Sequence, residues 1–331
     1  MRDKHRSASR RLAGVSTMRP GIARACLLFG ALLLCLGMVT PPVRAASTLA
    51  IYLPLIHMPT IPPPDDRPDY VRFAVIGDYG DASENEAAVA RLVRSWRPGF
   101  VITVGDNNYG SGNLENIDLR IGQFYADYIF PYHGTYGPGA TSNRFYPALG
   151  NHDWDAEGLP AYLDYFTLPG NERYYDVVRG PVHLFALSSD PREPEGVTSE
   201  STQGRWGQAA LAASADCWNL VYFHHPPFSS GEHGSSDWMQ WPFQAWGADV
   251  VLAGHDHLYE RLSIDGFPYI VNGLGGASRY DFKTPLAGSL VRYNDTYGAL
   301  LVEATRTTIT YRFIAIDGTM VDTFTQQGGC G

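Results

Sequence analysis

The chain has 331 residues, 44% hydrophobic and 13% aromatic, with 25 basic against 34 acidic side chains and a formal charge of −9. That apolar content excludes a disordered chain and is enough for a sizeable core in one large domain or two. The acidic balance excludes a nucleic-acid binder relying on phosphate contacts, which would be basic.

The first segment differs in kind from the rest. "MRDKHRSASRRLAGVSTMRPGIAR" is basic, "ACLLFGALLLCLGMV" is an unbroken apolar run, and Val43 and Ala45 supply the small residues of a cleavage site. Residues 1–45 read as a secretory signal, because a bilayer crossing needs about 20 apolar residues. A retained anchor helix is the alternative. Cleavage after Ala45 leaves 17 basic and 33 acidic residues, a formal charge of −16. That suits a soluble exported protein with no stable membrane insertion. It also leaves Cys217 and Cys330, which in an oxidising compartment form one disulfide or stay as two thiols. Residues 46–70, "ASTLAIYLPLIHMPTIPPPDDRPDY", lack a helical period and read as a Pro-rich arm before a domain over 71–331.

From Val71 the pattern alternates. "VRFAVIGD" reads as a buried strand and "ENEAAVARLVRSW" as an amphipathic helix with Ala88, Leu92 and Trp96 on one face. "FVITVGD" is a strand, "NIDLRIGQFYADYIF" a helix, and "FYPALGNHD" a strand running into a loop. "YYDVV" and "PVHLFALSS" read as paired strands, "TQGRWGQAALAAS" as helix and "WNLVYFHH" as strand. "SSDWMQWPFQAW" reads as a helix and "ADVVLAGHDH" as a further strand. The tail is strand-rich, including "PYIVNG", "GALLVEAT" and "ITYRFIAI", with the last two as a hairpin turning at Arg306-Thr307. Strands alternating with helices before a β-rich end predict α/β architecture with two stacked sheets.

Polar residues collect where these strands end. "IGDYG" carries Asp78, "VGDNNY" carries Asp106 and Tyr109, and "LGNHD" carries Asn151 and His152. "VYFHHPPFSSGEHG" carries His224 and His233, and "AGHDH" carries His255 and His257, which point to one side if that segment is extended. Counting His225, six of the ten histidines fall in these segments. Loops at the carboxyl ends of strands converge on one edge of an α/β sheet, so these side chains can meet in one cleft. Singly, each is ordinary: an Asp after a strand caps a turn, and a Tyr packs its ring with the hydroxyl in water. Together, carboxylate, imidazole and amide donors are those of a hydrolytic metal site.

The order GD-x-G, GD-x-x-Y, GNH[DE], V-x-x-H, GH-x-H resembles that of the purple acid phosphatases within the calcineurin-like metallophosphoesterases. The resemblance covers residues 70–316. Spacing around "GDNNY", "GNHD" and "HHPPFSSGEHG" is most like the small tartrate-resistant type, while "GHDHLYERL" is nearer the plant type. It implies a four-layer α/β/β/α sandwich with two mixed sheets and two metal ions. By motif, one metal falls to Asp78, Asp106, Tyr109 and His257, the other to Asp106, Asn151, His224 and His255, with Asp106 shared. Gly80 stands where many relatives carry a ligating histidine, and Tyr109 replaces that ligand as a phenolate. A phenol titrates near pH ~10, so this site implies Fe(III), and the second Fe(II), Zn or Mn.

The implied activity is hydrolysis of small phosphate monoesters at mildly acidic pH by a hydroxide generated at the metals, in a secreted (extracellular or periplasmic) enzyme. His152 and His233 are the candidates to protonate the leaving group. A phosphodiesterase or nucleotide pyrophosphatase on the same centre is the alternative, and a non-catalytic exported binding protein the reading of another class. His225 reads as structural, Asp153 as a partner orienting a neighbour, and His133 and His183 as non-catalytic. Pocket loops such as "YGSGNLEN", "HGTYGPGATSN" and "DPREPEGVTSE" would select the substrate. Oligomeric state leaves no mark in the sequence.

Overall fold

β-Branched and aromatic runs bounded by Gly-Asp and Gly-Asn turns make the strands, and their parallel stacking sets where the polar loops emerge. The computed structural model describes residues 69–110, 113–155 and 158–330. The expected signal segment and all but the last two residues of the Pro-rich arm lie outside them. The first sheet holds β1 (Tyr70–Ile76), β2 (Phe100–Thr103), β3 (Phe145–Pro147), β11 (Gly298–Thr305), β12 (Thr308–Ala315) and β13 (Met320–Gln327), in the order β13-β12-β11-β1-β2-β3. The second holds β4 (Tyr175–Arg179), β5 (Val182–Ala186), β6 (Trp218–Tyr222), β7 (Val250–Ala253), β8 (Tyr259–Ile264), β9 (Phe267–Asn272) and β10 (Ser289–Tyr293), in the order β10-β8-β9-β7-β6-β5-β4. Both are mixed: β1, β2 and β3 are parallel, as are β5, β6, β7 and β9, and the outer pairs are antiparallel.

Period-2 alternation decides the layers. In β6, Leu220 and Tyr222 face the first sheet while Val221 faces away, and in β7 Val250 and Leu252 face inward while Val251 faces out. The outward residues pack under α5 (Thr202–Ala213) and α6 (Phe243–Trp246), through Leu211 and Phe243. On the first sheet, α1 (Glu84–Ser95) buries Val89, Leu92 and Val93. Two sheets lie between helical layers, the four-layer sandwich expected.

Several elements differ from the reading of the sequence. The buried stripe of α1 includes Glu86 and leaves Ala88 half-buried, because the Glu86 carboxylate turns back to accept from the amides of Asp81 and Ala82. "SSDWMQWPFQAW" is a single 3₁₀ turn at Asp237–Met239 followed by the one-turn α6, since Pro242 offers no N–H to continue a helix. "NIDLRIGQFYADYIF" breaks into α2 (Leu114–Ile117), a wider π turn over Asp118–Gly122, α3 (Gln123–Tyr125) and a 3₁₀ turn. α4 (Gly158–Tyr165), β8, β10 and β13 lie beyond the elements the sequence marks. The β11–β12 hairpin does turn at Arg306-Thr307.

Candidate metal centre

Five loops leave the carboxyl ends of β1, β2, β3, β6 and β7 and carry the five motifs. Their backbones are held in unusual conformations: Asp78, Asp106 and His255 have φ of 56°, 54° and 70°. Left-handed geometry at a non-glycine residue costs roughly 1–3 kcal/mol and clusters at functional sites. Here hydrogen bonds to the motif carboxylates offset it. The His255 amide donates to Asp78 (3.0 Å to Oδ2), and the His152 amide donates to Asp106 Oδ1 (3.0 Å).

Two glycines let the loops touch. A Cβ at Gly80 would lie 1.7 Å from the Asn107 carbonyl oxygen, and one at Gly150 2.2 Å from Asp106 Oδ1. No side chain fits at position 80, so nothing there reaches the centre. Instead the Gly80 carbonyl accepts from the Tyr109 amide (2.8 Å).

The donor atoms of all seven expected ligands meet. The Tyr109 hydroxyl lies 2.9 Å from His257 Nε2 and 3.4 Å from Asp78 Oδ1, with His257 Nε2 3.3 Å from that same oxygen. His224 Nε2 lies 3.0 Å from Asn151 Oδ1, 3.2 Å from His255 Nδ1 and 3.4 Å from Asp106 Oδ2. Ligand atoms of Asp78, Asp106 and His257 all fall within 4.8 Å of one another. The two groups adjoin, His224 Nε2 being 4.0 Å from Asp78 Oδ1.

The chemistry of this donor set fits cations. His224 Nδ1 donates to the Val104 carbonyl (2.9 Å) and His257 Nδ1 to the Ser278 carbonyl. Each therefore turns a bare Nε2 lone pair toward carboxylate, amide and phenol oxygens. Asp78 and His224 are fully buried and Asp106 is 2% exposed. Lone pairs facing lone pairs out of water repel unless positive charge lies among them. The same crowding favours protonation of two of these imidazoles. Burial disfavours a charged His224, yet Asp106 and Asp78 push it up to about 10. His257 is raised against its burial by Asp78, whereas burial and the neighbouring imidazoles hold His255 down. Burial, then Asp106 and Asp78, drive the Tyr109 phenol well above its usual range.

The remaining candidates border this cluster. The His152 ring lies against Tyr109 (centroids 4.6 Å), and its buried Nδ1 has no hydrogen-bond partner. His233 is exposed, with its ring stacked on His255 (4.3 Å). The GHDH segment is bent, not extended, because His255 is left-handed; Nδ1 of His255 and Nε2 of His257 reach opposite sides of the cluster. Asp153 joins two motif loops, accepting from the amides of Asn107 and Gly150 (3.1 and 2.8 Å), and burial with nearby Asp106 raises it to about 7. His225 bonds Ser189 Oγ (2.9 Å), and His183 pairs with Asp176 away from the cluster.

Three residues escape sequence reasoning. Tyr280 stacks flat on His257 (4.1 Å, 7°) with no motif to flag it. Buried Asp256 accepts from the His233 amide (2.8 Å), and its place inside GHDH is the one signal that could have found it. Arg192 reaches the GNHD turn from the loop after β5. Of the two states open to the cysteines, the chain adopts the Cys217–Cys330 disulfide, with Cα atoms 4.7 Å apart.

Residues 71–259 match the calcineurin-like phosphoesterase family. The chain belongs to that family. This phosphoesterase is 25% identical over 278 residues to tartrate-resistant acid phosphatase type 5 of Mus musculus, covering 71% of this chain and 81% of that protein. A purple acid phosphatase from yellow lupin seeds superposes with a TM-score of 0.61 at 19% identity, over 78% of this chain and 54% of that one. GAP50, the anchor in the inner membrane complex of Plasmodium, gives 0.61 at 18% identity, over 80% and 90%. Both structural likenesses establish the fold alone. One of these proteins is a phosphatase and the other an anchor, so the fold does not fix the chemistry and the donor set must.

Proposed function

We propose that this phosphoesterase is an exported dinuclear phosphatase acting on small phosphate monoesters. Asp78, Asp106, Tyr109 and His257 would hold Fe(III), and Asp106, Asn151, His224 and His255 would hold Fe(II), Zn or Mn. The observation that carries the reading is the Tyr109 hydroxyl aimed at His257 Nε2 and Asp78, from a loop packed so closely on Gly80 that no side chain fits there. Two such cations supply charge neutralisation for the phosphate and a water ionised near neutral pH.

The chain's own part is positioning and proton transfer. Val104 and Ser278 fix the tautomers of His224 and His257, so both keep Nε2 for the centre. His233 stands exposed at the rim, where its ring can give a proton to the departing ester oxygen. His152, whose ring lies against Tyr109 and whose Nδ1 faces the Asp155 carboxylate at 3.7 Å, is the second candidate proton donor. The disulfide supports export to an oxidising compartment. Among the described residues, no helix is long and apolar enough to cross a membrane.

Steady-state rates on p-nitrophenyl phosphate and bis(p-nitrophenyl) phosphate, with metal content per chain, test the proposal. We expect two metals, iron among them, and a kcat/KM favouring the monoester. Preference for the diester would move the assignment to phosphodiesterase. Two bound metals without turnover would favour a binding role.

A further inference from the structure

We propose that Arg192, braced by Asp190, is a positioning residue that aims Asn151 at the second cation. The inference rests on the dinuclear reading above.

β5 runs parallel to β6, so the loop after it, "SSDPRE", arrives at the edge where the motif loops emerge. It supplies none of the seven donor groups, yet it grips two of the loops that do. Ser189 Oγ accepts from the His225 amide (2.8 Å), next to His224. Arg192 takes the other loop: Nη2 donates to the Asn151 carbonyl (2.7 Å), and Nη1 donates to the Trp154 carbonyl (2.8 Å) and Asp155 Oδ1 (3.2 Å). The far side of the guanidinium is locked onto Asp190, Nε to Oδ1 at 2.7 Å and Nη2 to Oδ2 at 2.9 Å.

Every guanidinium nitrogen is engaged, so this arginine is committed to the protein and does not wait for a phosphate. The Asp190 side chain is 4% exposed and that of Arg192 45%, which makes the carboxylate the fixed end and the arginine the arm. The two carbonyls it holds belong to the first and last residues of the turn Asn151–Trp154, which is closed by the Trp154 amide donating to Asn151 (3.2 Å). Fixing both ends fixes the direction of the Asn151 side chain, whose Oδ1 lies 3.0 Å from His224 Nε2. Orientation matters most at this ligand. An amide oxygen is neutral, so unlike Asp106 it has no net charge to compensate for a poor angle. Lysine cannot replace the fork, because a single ammonium does not span two carbonyls and a carboxylate.

The test uses the full exported chain with iron at the Tyr109 side. It measures Zn²⁺ affinity by equilibrium dialysis, the visible absorption band and Tm, in wild type, Arg192→Gln, Arg192→Lys and Asp190→Asn. Loss of a partner that orients a metal ligand weakens binding by about 10–100-fold. That loss is expected for Zn²⁺ in all three variants, with the band retained and little change in Tm. Zn²⁺ affinity within about twofold of wild type in Arg192→Gln and Asp190→Asn would overturn the proposal, as would full rescue by Arg192→Lys. A joint fall in Tm and in both metals would assign Arg192 to folding and overturn it as well. A wild-type chain that takes up iron but no second cation would defeat the dinuclear reading itself, and this inference with it.

Discussion

Tyr109 carries the sharpest consequence for a single hydroxyl. Its ring is held by His152 and by the edge of His257, contacts that a phenylalanine keeps. Tyr109→Phe should therefore leave Tm nearly unchanged while abolishing the phenolate-to-iron absorption band. A band that survives in the visible spectrum of the variant would remove Tyr109 from the ligand set. His233 is separable in the same way, since its side chain is exposed and its backbone is held independently of the ring, through Asp256. A positioned proton donor contributes roughly 10²–10⁴-fold when the leaving group is poor and far less when it is activated. In His233→Ala the slope of log kcat against leaving-group pKa should steepen. Equal loss across alkyl and p-nitrophenyl esters would count against the acid role.

Among the elements, the broken helix between β2 and β3 shows how a charged residue shapes the chain near the site. The Asp118 carboxylate accepts from Tyr132 (2.6 Å), the Thr135 amide (2.8 Å) and Tyr165 of α4 (2.8 Å). The π turn begins at that residue, and the apolar periodicity of "NIDLRIGQFYADYIF" carries no sign of it. Burial acts to raise the Asp118 pKa, but the donors from Tyr132, Thr135 and Tyr165 hold it below the usual carboxylate range. The folded value is the lower one. The stabilising contribution is thus complete above the unfolded value of about 3.9 and is lost as pH falls through the folded value. Asp118→Asn should lower Tm near neutral pH, and the gap to wild type should narrow as the pH is taken down from about 5 to 2. A gap that stays constant over that range would show that the carboxylate charge is not what holds these pieces together.

For the whole molecule, the contacts that matter join the two sheets. The disulfide ties Cys217, just before β6, to Cys330, beyond the edge strand β13, across 113 residues. Nearby, Trp218 Nε1 donates to the Thr305 carbonyl (2.7 Å), and Arg261 of β8 pairs with Asp322 of β13 (2.6 Å). Closing a loop of this length stabilises mainly by restricting the unfolded chain, typically by 2–4 kcal/mol and at most about 5. Cys217→Ser should shift the urea midpoint accordingly while leaving metal content unchanged, because neither cysteine adjoins the centre. Loss of metal in that variant would show that the staple also sets the spacing between the sheets at the site.

The seven expected ligands and His152 stand out in the amino-acid sequence because each follows an apolar run within a few residues, while His233, nine positions after His224, is singled out only by the family resemblance. Chemistry that local survives in one dimension, whereas the uniformly apolar β7 gives no sign in the sequence of which side chains face the other sheet. The partners of those donors are not legible there. Tyr280 meets His257 across 23 positions, and Arg192 meets Asn151 across 41. Those meetings depend on which strands lie side by side, a matter of packing between residues far apart in the chain. Only the folded sheets decide that the loop after β5 supports the centre without supplying a ligand, that GHDH bends, and that the last cysteine finds its mate.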